Sequence, residues 1–360
     1  MALSLVPDLG PRTYKKLIEV FGSAGNVLKK SAAELRAAGG LSEQLVEGLC
    51  DPVLSDKACD EISFARQENV EIILCLDERY PAELKEIYSP PILIYVKGAL
   101  PQAHAAKIAV VGSRDASLYG RRMASEISRD LAQNGVGIVS GMAMGIDRAA
   151  HEGALTAEGV TVAVLGSGLS MISPGAPQEM AERIVKSGGA LISEYPMQMH
   201  ATAQHFPVRN RLISGLSYGV LVVEAKSKSG ALITVDTALE QGREVYAVPG
   251  NADSILSQGT HRLLKQGAKL VTSAEDILQD ISSLFVKSPR ETTRKPGLPN
   301  PLLSEDENTV LSVLEREPLH VDELIAQANL PVKNAITALS FLEIKGYAKQ
   351  LPGKNYVSVK

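Results

Sequence analysis

Five short segments of the sequence are rich in glycine and serine, in basic residues, or in both, and such residues are suited to binding phosphate groups. They are Gly112-Ser113-Arg114, Ser140-Gly141, Gly166-Ser167-Gly168, Phe206 with Arg209, Asn210 and Arg211, and Lys226 and Lys228 with Ser229 and Gly230. Glycine lets a phosphate approach backbone amides closely, and guanidinium and ammonium groups neutralise its charge. An aromatic ring beside two arginines adds a surface on which an unpaired base can stack. The segments therefore favour a binding site for single-stranded nucleic acid.

Each segment also has a structural interpretation that the residues alone leave open. The glycine corners can be packing turns, and Phe206 can be a core residue next to surface arginines. Asp147 is expected to cap the helix after the second corner, and His151 to be packed and hydrogen-bonded. The lysine-containing segment lacks the G-x-x-x-x-G-K-[ST] spacing, so it does not indicate a nucleoside triphosphatase.

The sequence contains no pattern that indicates catalysis. It has no nucleophile with a positioned base, no carboxylate pair and no cluster with metal-ligand spacing, so we expect a binding protein without catalytic residues, metal or cofactor. One enzymatic alternative is a nucleotide-processing enzyme of the phosphoribohydrolase type, for which Glu224 and Asp147 are the only plausible carboxylates. Another alternative is a scaffold whose terminal modules bring proteins together.

Strand-like and helix-like segments alternate from residue 107 to about residue 283. This alternation predicts an α/β fold, an extended Rossmann-like domain over residues 66–286 with a doubly wound, mostly parallel sheet. Two earlier apolar runs, Ile72–Leu76 and Ile92–Val96, are expected to join or flank the sheet. Ligands bind at the carboxyl ends of the strands in such sheets, so we expect the five segments to converge there.

Two smaller modules flank this domain. Residues 1–65 predict a small helical domain that resembles a helix-hairpin-helix pair, with a packing bundle as the alternative. Residues 287–304 carry four prolines and no apolar periodicity, which predicts a linker. Residues 305–360 predict three helices and a terminal hairpin, the pattern of a winged-helix domain. That module has eight acidic and six basic residues, which favours contact with protein over reading of duplex DNA.

The composition restricts how a polyanion could be bound. The net charge is −4, so a local basic patch must do the binding, and aromatic residues make up only 4% of the chain. The sequence has no apolar run of about eighteen residues and no signal-peptide pattern, so no membrane contact is expected. The three cysteines lie far apart and are expected to be reduced thiols of a cytoplasmic protein.

Taken together, these segments resemble the DNA-processing protein A family of bacteria, also called DprA or Smf. The resemblance is carried by KIAVVGSRDASLYG, GVGIVSGMAMGIDRAAHEGAL, TVAVLGSGL, LISEYP, HFPVRNRLISGLS, VLVVEAKSKSGALITVDTALEQGREVYAVPG, GTHRLLKQGA and LVTSAEDIL. They follow one another in the family's order and cover the central domain. The upstream DERYPAELKEIYSPPILIYVKG and both terminal modules extend the resemblance to nearly the whole chain.

The resemblance implies a cytoplasmic homodimer, formed through the extended Rossmann-like domain, that binds and protects single-stranded DNA. It further implies loading of the RecA recombinase on incoming DNA during natural transformation, with no enzymatic turnover. By motif, the resemblance implies that Gly112, Ser113 and Arg114 line the DNA pocket. The second family motif corresponds to Phe206, Arg209, Asn210 and Arg211, and the third to Lys226, Lys228, Ser229 and Gly230.

Four positions depart from the family pattern. Met144 stands where the family usually has an arginine, which removes one cation from the second corner, and Ser167 stands where a cysteine is often seen. After the third corner, Ser173-Pro174 replaces Tyr-Pro, and Pro177 falls where an asparagine is usual. The departures leave the expected fold unchanged and bear on the affinity of the pocket.

Overall fold

The computed structural model of the chain describes residues 1–101, 106–172, 178–285, 303–314, 319–328, 330–345, 347–351 and 355–358. The chain divides into two compact units, Met1–Phe285 and Val286–Lys360. Each unit has its own hydrophobic core, so each is described by itself.

The first unit begins with helices that enclose a small core of their own. After a 3₁₀ turn at Ala2–Leu5 come α1 (Pro11–Phe21), α2 (Ala24–Val27), α3 (Ala32–Ala37), α4 (Glu43–Leu49) and α5 (Leu54–Gln67). Leu17, Val27 and Leu35 are fully buried in this cluster. A helical N-terminal region was expected, but the boundary placed at residue 65 falls inside α5.

Strands and helices then alternate to the end of the unit, as the sequence predicts. The elements are β1 (Val70–Leu74), α6 (Ala82–Lys85), β2 (Leu93–Gly98), β3 (Lys107–Val111), α7 (Leu118–Gln133), β4 (Gly137–Ser140), α8 (Ile146–Thr156), β5 (Thr161–Val164), α9 (Gln178–Lys186), β6 (Ala190–Ser193), α10 (His205–Gly215), β7 (Gly219–Val222), α11 (Ala231–Glu240), β8 (Glu244–Ala247), α12 (Gln258–Lys265), β9 (Lys269–Leu270) and α13 (Ala274–Phe285). A short 3₁₀ turn at Ile255–Ser257 directly precedes α12.

Within the described residues the strands form a nine-stranded sheet in the order β1-β2-β6-β5-β4-β3-β7-β8-β9. The strands from β6 to β9 along this order are parallel, whereas β1 and β2 are antiparallel additions at one edge. This arrangement confirms the predicted extended, mostly parallel, doubly wound sheet. The order reverses between β3 and β7, which lie side by side with Ala109 opposite Val220. Such a reversal opens a crevice at the carboxyl ends of the two strands.

The two faces of the sheet are covered by different helices. Ile108 and Val110 of β3 belong to the core that contains residues of α7, α8 and α13, whereas Ala109 and Val111 belong to the core on the α10 and α11 side. All five residues of β3 are buried, as expected for a strand covered on both faces. The helices on the two faces therefore fix where the loops after β3 and β7 can lie.

The second unit has the predicted winged-helix pattern. Its helices are α14 (Glu305–Val313), α15 (Val321–Ala328) and α16 (Val332–Ile344), and its strands are β10 (Leu319–His320), β11 (Ala348–Leu351) and β12 (Asn355–Ser358). The strands pair in the order β10-β12-β11, and the short β10 was not anticipated from the sequence. Ser304, which the predicted linker includes, caps α14 in a capping box with Glu307. The part of that linker from residue 287 to residue 302 lies outside the described residues.

Candidate functional site

A pocket of about 340 Å³ opens at the carboxyl ends of β3 and β7, where the strand order reverses. Four separate parts of the chain meet there: the turn after β3, the corner between β4 and α8, the N-terminal half of α10, and the segment after β7 with the start of α11. The predicted site residues that line it are Gly112, Ser113, Arg114, Phe206, Arg209, Asn210, Lys226, Lys228, Ser229 and Gly230. The structure thus brings together residues of three of the five segments.

An aromatic ring and an arginine meet in this pocket. The guanidinium carbon of Arg114 lies 4.7 Å from the centre of the half-buried Phe206 ring, and that of Arg209 lies 6.0 Å from it. Arg114 is exposed, whereas Arg209 retains only 3% of its accessible surface. The Arg114 guanidinium is therefore accessible to a ligand, whereas the Arg209 guanidinium is buried.

The turn after β3 is held from two sides by the backbone. The amide of Ser113 donates to the Glu224 carbonyl at 2.8 Å, and the Ser113 carbonyl accepts from the Ile146 amide at 3.2 Å. A Cβ atom at Gly112 would lie 2.6 Å from the Ile146 side chain and 2.8 Å from the Glu224 carbonyl, so glycine is needed for this close packing. The Ser113 amide therefore already donates to a backbone carbonyl, and the turn contributes the Arg114 side chain to the pocket lining.

The N-terminus of α7 already has an anionic partner from the chain itself. The buried Glu224 carboxylate accepts from the Ser117 amide at 2.9 Å and from the Ser117 hydroxyl at 2.5 Å. Ser117 is the N-cap of α7, so Glu224 lies where a dinucleotide-binding Rossmann fold places a phosphate. Both carboxylate oxygens of Glu224, one of the two carboxylates considered for catalysis, have hydrogen-bond donors.

The N-terminus of α11, in contrast, opens into the pocket. Its N-cap, Gly230, has open space where a Cβ atom would lie, and the Ser229 hydroxyl accepts from the Ala231 amide at 3.4 Å. Lys226 and Lys228 are exposed beside it, and the Lys226 ammonium lies 3.8 Å from the exposed Asp115 carboxylate. Helix dipole, hydroxyl and ammonium groups converge here, an arrangement that attracts a phosphate.

Arg209 supports the floor of the pocket. Its Nη1 donates to the Gly141 carbonyl at 2.9 Å and to the Val164 carbonyl, so it ties the corner after β4 to the end of β5. Its Nε is buried without a hydrogen-bond partner. Burial lowers the pKa of Arg209 to about 10, so it stays charged at neutral pH.

Asp147 corrects one expectation from the sequence. It does not cap α8, because the N-cap is Gly145 and Asp147 lies inside the first turn. Its carboxylate accepts instead from the Gly141 amide at 3.2 Å and the Ala143 amide at 3.4 Å. Burial raises the pKa of Asp147, and the charge of Arg209 opposes that shift. The two groups together hold the second corner in place.

The remaining predicted site residues lie outside the pocket lining. Ser140 is buried and donates to the Val110 carbonyl at 2.6 Å, and Gly141 packs against the Arg209 guanidinium. A Cβ atom at Gly166 would lie 3.3 Å from the Phe206 ring, whereas one at Gly168 would overlap the Pro196 and Met197 carbonyls. Arg211 forms an ion pair with Glu194 away from the pocket. Ser140, Gly141 and Gly166 therefore pack against residues of β3 and α10, two elements that border the pocket, without lining it themselves.

Some lining residues were not anticipated. Thr234 and Ile233 on α11, Pro207 on α10, and Asp115 and Ala143 also border the pocket. Thr234 could have been found because it lies one helical turn after Gly230, on the same side of α11. Of the family departures, Met144 is 58% exposed, and Ser173, Pro174 and Pro177 lie outside the described residues.

His151 has the packed, hydrogen-bonded position that the sequence predicts. It is fully buried, and its Nδ1 lies 2.7 Å from the Thr161 hydroxyl oxygen. That hydroxyl donates its hydrogen to the Ile138 carbonyl at 2.8 Å, so the imidazole donates to Thr161. Burial lowers the pKa of His151 to about 3.

Two further kinds of feature are absent from the described part of the chain. No group of three or more His, Cys, Asp or Glu residues in it could hold a metal ion. No helix in it has the length and apolar character needed to cross a membrane.

Comparison with known proteins places these features in a family. Residues 71–282 match the family model of DNA recombination-mediator protein A, and residues 294–354 match that of the DprA winged helix domain. Protein Smf of Escherichia coli is 40% identical over 83% of this chain and 80% of its own length. DNA processing protein DprA of Streptococcus pneumoniae is 45% identical over 57% of this chain and 72% of its own.

Solved structures agree with this match. The crystal structure of DprA from Streptococcus pneumoniae superimposes with a TM-score of 0.55 at 36% identity, over 74% of this chain and 96% of that one. DNA processing protein A of Helicobacter pylori, described with a single-stranded DNA binding mode, gives a TM-score of 0.53 at 26% identity over 59% and 96%. The extended sheet, the winged helix and these matches together show that the chain belongs to the DNA recombination-mediator protein A family, DprA/Smf.

Proposed function

We propose that this protein binds single-stranded DNA in the pocket at the ends of β3 and β7. The observation that carries the proposal is the convergence of Arg114, Phe206 and Lys228 with the open N-terminus of α11 in one cavity. The single-stranded DNA binding mode described for the Helicobacter pylori relative supports the same ligand.

Phosphate and base would bind to different parts of the pocket. Lys226, Lys228, the Ser229 hydroxyl and the α11 N-terminus attract a phosphate, and the strand gains affinity from counterion release. The Phe206 ring accepts an unpaired base by stacking. Because this ring is half-buried, a base must leave a duplex to reach it, which favours single-stranded over double-stranded DNA.

We also propose that the protein binds without enzymatic turnover. Glu224 is occupied by Ser117, and Asp147 is occupied by two backbone amides. A nucleotide-processing activity of the phosphoribohydrolase type would require one of these carboxylates to act on a substrate. Release of free base from nucleoside monophosphates, lost in Glu224→Gln, would contradict the proposal.

The family resemblance motivates a cellular role beyond binding. We propose that the protein, as a cytoplasmic homodimer, protects incoming single-stranded DNA and loads the RecA recombinase on it during natural transformation. The test is the rate of RecA assembly on oligonucleotides with and without the purified full-length protein. Equal rates, together with a monomeric mass by light scattering, would contradict loading by a dimer while leaving DNA binding intact.

The binding proposal is tested by fluorescence anisotropy with labelled single-stranded and duplex oligonucleotides at several salt concentrations. Wild type is expected to prefer the single strand. Arg114→Ala with Lys228→Ala should weaken binding and flatten the salt dependence by about 0.7 in log–log slope for each phosphate that is no longer neutralised. Arg129→Ala, near the other end of α7, is the matched control and should leave both quantities unchanged. Equal affinity of the double variant and wild type would refute the proposal.

A further inference from the structure

Asp115 is an exposed carboxylate in the lining of the pocket proposed to bind DNA. Its side chain retains 92% of its accessible surface, and the carboxylate lies 3.8 Å from the Lys226 ammonium. A negative charge at this place repels phosphate groups, whereas the cations of the pocket attract them. The proposed function gives this carboxylate no role.

Two of the four cations in the lining are accompanied by a carboxylate. The four are Arg114, Arg209, Lys226 and Lys228. Arg209 is buried and interacts with the charge of Asp147, and Lys226 pairs with Asp115. In the described part of the chain, neither Arg114 nor Lys228 forms an ion pair. Among the exposed cations of this lining, Lys226 therefore already has an anionic partner from the chain itself.

The turn after β3 places its two charges on the two kinds of group that DNA would contact. The Arg114 guanidinium lies over the Phe206 ring, the proposed stacking surface for a base. The next residue, Asp115, lies beside Lys226, one of the groups proposed to attract a phosphate. Adjacent side chains of one turn thus contact both the stacking ring and a phosphate-binding lysine in the free protein.

The backbone of this turn is fixed, so DNA can replace these contacts only through movement of side chains. Ser113 donates its amide hydrogen to the Glu224 carbonyl at 2.8 Å and accepts from the Ile146 amide at 3.2 Å. A Cβ atom at Gly145 would overlap the Ser113 carbonyl oxygen, so the second corner packs directly against the turn. The Asp115 carboxylate can rotate away from its partner at low cost, because exposed ion pairs contribute little to stability.

We propose that Asp115 competes with a DNA phosphate for Lys226 and thereby lowers the affinity of the pocket for single-stranded DNA. A phosphate that binds Lys226 must displace the Asp115 carboxylate, which remains nearby and repels it. Without that carboxylate, Lys226 neutralises the phosphate fully and one more counterion is released from the DNA. This inference rests on the proposed single-stranded DNA binding, since it assigns a role to Asp115 only in that pocket.

The experiment measures binding of labelled single-stranded DNA to the full-length protein by fluorescence anisotropy at several salt concentrations. Asp115→Asn keeps the shape of the side chain and removes its charge. It should lower the Kd by roughly fivefold, the effect of two unit charges about 4 Å apart in water. The log–log salt dependence should become steeper by about 0.7, which corresponds to one further neutralised phosphate. Glu126→Gln, at an exposed carboxylate on α7 outside the pocket lining, makes the same change in net charge and should leave both quantities unchanged.

A double-mutant cycle tests whether Asp115 acts through Lys226. In a Lys226→Gln background, Asp115→Asn should change the Kd by less than about twofold, since the carboxylate has no ammonium left to compete for. An equal gain in affinity in both backgrounds would show that Asp115 repels DNA through its charge alone, and it would overturn the proposed competition.

The outcomes separate this inference from the proposed function. Unchanged or weaker binding by Asp115→Asn would overturn the inference and leave DNA binding by wild type standing. Absence of single-stranded DNA binding by wild type would overturn the proposed function and this inference with it.

Discussion

The guanidinium carbon of Arg114 lies 4.7 Å from the centre of the Phe206 ring, so a cation covers the aromatic surface on which a base would stack. The two residues come from distant parts of the chain: Arg114 lies in the turn after β3, and Phe206 lies in the first turn of α10. A base that stacks on this face must displace the guanidinium, which is then free to pair with a neighbouring phosphate. The contact thereby links recognition of the base to recognition of the backbone.

Replacing the aromatic ring should reduce affinity without unfolding the protein. Phe206→Leu keeps an apolar side chain against Gly166 but removes the stacking surface, which contributes about 1–3 kcal/mol per base. We therefore expect the Kd for single-stranded DNA to rise by roughly 5- to 150-fold, as measured by anisotropy. Phe206→Tyr retains the ring and should bind like wild type. If Phe206→Leu binds as tightly as wild type, Phe206 does not stack on a base.

The two arginines at the ring should respond differently to substitution. Arg209→Ala leaves the Asp147 carboxylate buried without its nearby cation and removes the donor to the Gly141 and Val164 carbonyls. Removing one member of a buried charged arrangement costs about 3–5 kcal/mol, so the free energy of unfolding in urea should fall by that amount. Arg114→Ala alters an exposed side chain and should leave stability within about 0.5 kcal/mol of wild type. Similar stability of the two variants would show that Arg209 does not support the fold.

Sequence patterns were sufficient for the framework of the fold. The buried runs at β3, β4, β5 and β7 are short and rich in β-branched residues, and glycine follows the first three within two residues, so the positions and parallel arrangement of these strands could be inferred from local signals. The short strand β10 has only Leu319 and His320, too few residues to show an alternating pattern. Helix α5 continues for two residues past the domain boundary predicted at residue 65, because no glycine or proline ends it there.

The roles of individual site residues were less accessible to sequence reasoning. A sequence shows that Arg209 and Glu224 are charged, but their burial depends on which segments pack over them, and these lie far away along the chain. Glu224 fills the N-terminus of α7 because β3 and β7 are neighbours, a tertiary contact that no local pattern encodes. The pairing of Arg211 with Glu194 has the same origin.

The packing of α7 against Glu224 can be tested with a single methyl group. A Cβ atom at Gly120 would overlap the Glu224 carboxylate, so Gly120→Ala should displace that carboxylate from Ser117. Overpacking of this kind typically costs about 1–3 kcal/mol, and we expect a corresponding loss in the free energy of unfolding. Gly25→Ala, in α2 with open space around the added methyl, is the matched control and should be neutral or slightly stabilising. Equal stability of the two variants would contradict the proposed packing.

Burial of His151 should make the protein less stable in mild acid. The Nε2 atom, which would take up the proton, is buried without a partner, and the pKa of His151 in the folded state is lowered to about 3 from 6.5. In acid the unfolded chain binds a proton at His151 more readily than the folded protein does. The contribution of neutral, buried His151 to the free energy of unfolding is therefore complete above pH 6.5 and is lost as the pH falls towards 3. At pH 5 the loss amounts to about 2 kcal/mol, which urea unfolding at pH 7.5 and pH 5 can measure. His151→Gln cannot take up that proton and should lose less stability over this interval, whereas His200→Ala, at an exposed histidine, should retain the wild-type loss. An identical loss in wild type and His151→Gln would mean that this imidazole does not control the acid response.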